Sequence, residues 1–93
     1  METISLYEAI KQMREISSKG QFFSFVHATY NRDKRNTNGI REVKRAKVRP
    51  AAKGDDIRHS GYKLFYYDDR FHEDRVCWQP LIMFFNGQKV ILQ

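Results

Sequence analysis

Nine of the seventeen lysine and arginine residues of this 93-residue chain fall between positions 31 and 53: Arg32, Lys34, Arg35, Arg41, Lys44, Arg45, Lys47, Arg49 and Lys53. Only Asp33 and Glu42 oppose them, so this quarter of the chain carries +7 while the whole chain carries +6. So local a field attracts polyanions or acidic protein surfaces, and by itself it implies no bond-making chemistry. Cations that neutralise phosphates gain affinity by releasing condensed counterions, with no need to read sequence. Tyr30, Tyr62, Tyr66 and Tyr67 add rings on which unpaired bases can stack. Each feature has a plainer use: tyrosines fill cores, and charged strand faces discourage edge-to-edge pairing.

The remaining reactive residue types do not form a pattern. His27, His59, His72 and Cys77 show no CxxC, HxH or HExxH spacing, and structural zinc needs four converging ligands. Phe71-His72-Glu73-Asp74 crowds donors together, but neighbours on a turn point apart. Cys77 sits among apolar residues and reads as a small packed hydrophobe. Asp55-Asp56, Asp68-Asp69 and Glu73-Asp74 are adjacent pairs, which on strands face opposite ways and on turns cap or solvate. Gly54, Gly61 and Gly87 make no phosphate-cradling loop, and no RNA-recognition sheet, KH or zinc-finger motif is present. The expectation is a binding protein with no catalytic residues, metal or cofactor.

Ninety-three residues suit one domain able to bury a core unaided. At 41% hydrophobic and 14% aromatic the chain can fill that core. A lone cysteine fits a reducing compartment. With no signal pattern and no apolar run of about 18–20 residues, the expected location is the cytoplasm and no membrane partner is expected.

The elements that must position the cations are legible. Ser5 and Glu8 form a capping box, Leu6, Ala9, Ile10, Met13 and Ile16 recur at helical spacing, and Gly20 suits a left-handed cap. The spacing predicts a helix over 5–19 whose opposite face carries Glu8, Lys11, Gln12, Arg14 and Glu15. Strands are predicted at about 22–30, 40–49, 63–67, 76–85 and 88–92. The polar run 31–39 ends in Asn38-Gly39 and reads as a turn, Pro50 ends the second strand, residues 51–61 read as a mobile loop, and 68–75 as a charged turn. In the second strand Ile40, Ala46 and Val48 should share one face. Arg41, Val43, Arg45, Lys47 and Arg49 should share the other, with cations two residues apart spaced about 6.8 Å. Asn86-Gly87 between apolar runs is a strong hairpin signal. It sets Phe85 opposite Gln88, Met83 opposite Val90 and Leu81 opposite Leu92, with Trp78, Ile82, Phe84 and Ile91 on the reverse face.

SLYEAIKQMRE near the start, FSF at 23–25, VRP at 48–50 and WQPLIMFFNGQKV at 78–90 resemble short uncharacterised proteins encoded in prophages and mobile elements of Bacteroidetes. That resemblance covers most of the chain, omits 51–62, and implies viral or element-encoded proteins, or DNA, as partners. The expected fold is α+β: an N-terminal helix on a mostly antiparallel, curled sheet of about five strands. The expected function is a small basic module gripping nucleic-acid backbone, DNA or RNA, through residues 32–53. The alternative is a structural or assembly protein of a phage-like element.

Overall fold

The computed structural model describes residues 2–31, 36–50 and 60–92, and at 30, 31, 36–38 and 60 the backbone alone. Strand β1 (Thr3–Ser5) runs directly into helix α1 (Leu6–Ser18). Ser5 is the N-cap, and its hydroxyl accepts from the Glu8 amide at 3.1 Å. At the other end the Gly20 amide donates to Ser17 and the Gln21 amide to Ile16, a Schellman closure with Gly20 at φ 75°. Ala9, Ile10 and Met13 are buried, with Leu6 and Ile16 packed beside them, as the periodicity requires.

The strands that follow are β2 (Phe23–Asn31), β3 (Asn36–Val48), β4 (Lys63–Asp68), β5 (Glu73–Trp78), β6 (Ile82–Phe85) and β7 (Gln88–Ile91). They form one unclosed, curled sheet in the order β1-β7-β6-β2-β3-β4-β5, with β1 parallel to β7 and every other pair antiparallel. The α+β expectation holds, but the sheet has seven strands where about five were predicted. Two causes account for the difference. Three residues of β1 are too few to show a period. The predicted strand 76–85 is two strands divided by a 3-10 turn, Gln79–Leu81, because Pro80 has no N–H for a ladder. Its halves part company: β5 pairs with β4 at the sheet edge, while β6 lies between β7 and β2. The charged turn also shrinks to residues 69–72, since Glu73 already pairs with Asp68.

Asn86 (φ 47°) and Gly87 (φ 84°) make the predicted hairpin, with Phe85 opposite Gln88. Leu81 lies in the 3-10 turn, outside the ladder, and Leu92 is exposed. Of the loop predicted at 51–61, residues 51–59 lie outside the described residues, and Ser60–Tyr62 is a 3-10 turn.

Bulges give the sheet its curl. Two residue steps of β2 match three of β3 twice, between Phe23 and Phe25 and between Ala28 and Tyr30. One step of β2, Val26 to His27, matches two of β6. Each extra residue bends its strand and increases local twist. Asn38-Gly39 therefore belongs to a bulged strand rather than a turn, with Gly39 at φ 114°. The concave side holds the core: Phe23, Phe25, Val43, Ala46, Leu64, Tyr66, Ile82 and Phe85 meet the helix residues. Burying such large apolar side chains contributes about 1.5–3 kcal/mol each.

Candidate nucleic-acid interface

The bulge at Lys44-Arg45 decides where the basic residues go. Phe23 pairs with Ala46 but Phe25 with Val43, so both Val43 and Ala46 face the core and are buried. From Ile40 to Val43 the odd-numbered residues face inward; from Ala46 the even-numbered ones do. The predicted row of four cations is therefore broken. Ile40, predicted inside, is 66% exposed. Arg41, predicted among the outward cations, pairs with His27 on the concave side. Arg32, Lys34, Arg35 and Lys53 lie outside the described residues.

Arg45 and Lys47 point to the convex side and converge on one ring. The Arg45 guanidinium carbon lies 4.4 Å from the centroid of Phe22 and Lys47 Nζ lies 5.9 Å from it. Phe22 faces outward because the next residue, Phe23, is in the core. Further along, Arg49 stands 5.7 Å over Phe65, and Lys63 stands 5.2 Å over Trp78, its neighbour across the β4–β5 ladder. Cations and half-buried rings thus alternate over the outer surface of β3, β4 and β5. Val76 extends that surface at 46% exposed.

Acidic neighbours trim the field. Arg45 Nε is 2.9 Å from Asp69 Oδ2, though the arginine stays 57% exposed, so solvent screens the pair. Arg49 is consumed structurally: its side chain is 12% exposed, 3.4 Å from Asp74, and donates to the carbonyls of Tyr66 (3.1 Å) and Arg75 (3.0 Å). It fails the sequence expectation of an available contact. Lys44 is exposed, and among the described residues neither it nor Lys47 has an acidic partner within 4 Å. Lys44, Arg45 and Lys47 are the available cations.

The tyrosines divide. Tyr62 is exposed and Tyr67 is half-buried with its hydroxyl 3.0 Å from His72 Nδ1. Tyr66 is fully buried, so it cannot stack on a base, and the side chain of Tyr30 lies outside the described residues. The sequence reading did not place Phe22, Phe65, Trp78 and Lys63 on this candidate surface. The available signal was Phe22-Phe23: two adjacent phenylalanines in a strand cannot both face one core.

On the concave side, His27 Nδ1 is 3.1 Å from the Ala28 carbonyl and Nε2 is 3.1 Å from the Tyr66 hydroxyl. Burial, with the nearby Arg41 and Arg75 charges, lowers the pKa of His27, so the neutral ring donates from Nδ1 and accepts at Nε2. Burial raises that of Tyr66. It also pushes the free Cys77 thiol up to about 12, leaving it a packed group rather than a nucleophile. Among the described residues no three His, Cys, Asp or Glu side chains converge to hold a metal, and no helix is long and apolar enough to cross a membrane. His59 lies outside them. Comparison with protein-family models, with curated proteins and with solved structures returns no match.

Proposed function

We propose that this chain is a small, non-catalytic module that grips single-stranded nucleic acid on the convex face of its sheet. The observation that carries this reading is the alternation of cations and rings, above all Arg45 and Lys47 bracketing Phe22. A single strand offers both partners such a surface needs. Its phosphates take the cations, and its unpaired bases present π-faces to the rings. A duplex offers only the phosphates, so the rings favour single strands.

The test is fluorescence anisotropy with unphosphorylated single-stranded and duplex oligonucleotides from about 50 to 200 mM salt, the range over which phosphate-driven affinity falls steeply. If Lys44, Arg45 and Lys47 each meet one phosphate, log affinity falls with log salt at a slope of about −2 for a single strand and about −3 for duplex. Phe22→Ala should weaken single-strand binding by roughly 1–3 kcal/mol, the worth of one stacked base, and leave duplex binding nearly unchanged. Absence of binding at about 50 mM salt, where phosphate contacts are strongest, overturns the reading. A protein-docking role in a phage-like element would then lead, favoured by β5, which is an edge strand with Val76 exposed.

A further inference from the structure

The concave side has two ends of opposite character. α1 covers the apolar end. The other is an open cleft of about 250 Å³ between β2, β3, β4 and β5, lined by His27, Arg41, Tyr66, Arg75, Cys77 and Leu81. Its floor is the hydrogen-bonded His27–Tyr66 pair, both buried, held by Phe25, which stacks on His27 at 5.4 Å and meets Tyr66 edge-on at 5.0 Å. Core residues thus hold these polar atoms in place at the base of a concavity. Two arginines line it, from β3 and β5.

Their charge balance differs. Arg75 is matched by Glu73 at 2.6 Å and by Asp68 at 3.5 Å, yet its Nε is shut off from solvent with no hydrogen-bond partner. Arg41 is half-buried, and among the described residues it has neither an acidic partner nor a hydrogen bond. A partly desolvated guanidinium without a counter-charge is costly, and fork-shaped N–H donors match a tetrahedral oxyanion. We propose that this cleft is a binding site for a phosphate group, with Arg41 supplying both the charge and the fork of N–H donors, while Arg75 stays matched by its own carboxylates. The site is separate from the convex surface and does not depend on it.

The source of the phosphate is either a free ion or the 5′ end of a strand, and the arms of one experiment distinguish them. His27 is the reporter. The charges that act on it are Arg41 from β3 and Arg75 from β5, and Tyr66 from β4 is hydrogen-bonded to it; Asp68 and Cys77 act on Tyr66, and Glu73 pairs with Arg75. A bound dianion among them offsets the arginine fields and should raise the His27 pKa. The ring signals of His27 are followed by NMR as inorganic phosphate replaces chloride at constant ionic strength, then with a short oligonucleotide with and without a 5′-phosphate. The expected result is a saturable shift with phosphate, weakened about tenfold or more in Arg41→Gln, less in Arg41→Lys, and unchanged in Lys47→Gln. Saturation at lower concentration with the 5′-phosphorylated strand than with the free ion assigns the strand end, and the reverse assigns the free ion. A shift that stays linear, or one equally strong in a folded Arg41→Gln, overturns the proposal. So does an equal loss in Lys47→Gln, which would move the effect to the convex face.

Discussion

The two stretches of β3 on either side of its second bulge, Ile40–Val43 and Ala46–Val48, both mix apolar residues with cations, yet they turn opposite parities toward the core. Before the bulge the inward positions are Arg41 and Val43; after it they are Ala46 and Val48. One extra residue thus sends Arg41 to a polar cleft and Lys47 to an aromatic surface. A period-2 element gives every side chain its face by parity, so a single insertion reverses all the residues beyond it. The charge of a segment therefore says little about its interface until its bulges are located.

The strongest test of this contrast shifts the parity beyond the bulge. Deleting Lys47 makes Ala46 and Val48, which share the inward face, direct neighbours, so a pleat can keep only one of them against the core. We expect a loss of about 2 kcal/mol or more, since losses of that size come from core disruption, read by urea denaturation. A variant as stable as the parent would show that parity does not pin this strand.

A smaller effect separates the two arginines. Arg45→Glu should weaken binding of an unphosphorylated single strand about tenfold and flatten the salt slope by roughly 0.7, one contact's worth. Arg41→Glu should leave both unchanged. Folding should survive Arg45→Glu, because its exposed pair with Asp69 contributes at most about 1 kcal/mol. Equal losses from the two substitutions would mean that they share one surface.

The smallest effect concerns pH and the cleft alone. His27 titrates below its ordinary 6.5 because burial disfavours the imidazolium. The unfolded chain therefore binds a proton first as pH falls, and the stability gained by keeping His27 neutral is complete above 6.5. It is lost progressively below that value, toward the lower folded pKa. Denaturation midpoints between pH 7.5 and 5 should fall more for the parent than for His27→Gln, and parallel curves would place the titration elsewhere.

Local rules made the helix, both its caps and the Asn86-Gly87 turn readable, since each depends on residues within one turn of chain. What escaped depends on partners far away. Val43 and Ala46 are apolar and three apart in a run of cations, a spacing that neither strand parity allows. Ile82 and Phe85 repeat it in β6, where both are buried. Those spacings are a bulge signal, which a regular pleat obscures. The His27–Tyr66 contact joins residues 39 apart, and no local pattern foretells it. The available cations were legible as a group, but Phe22 and Trp78 were not, because their outward aim follows from sheet pairing.

Arg49 began as one more positive charge and ended bound to the carbonyls of Tyr66 and Arg75 on two successive strands. That cross-tie changes how the sheet comes apart. An edge strand ordinarily opens first and alone, exposing a ladder on which another copy can pair. Here β5 cannot lift from β4 without also breaking the guanidinium bond from Arg49, the residue that directly follows β3. Transient opening of that edge is therefore coupled to the third strand in. Exposure of the β5 ladder is thus tied to a side chain that enters the sheet from two strands away.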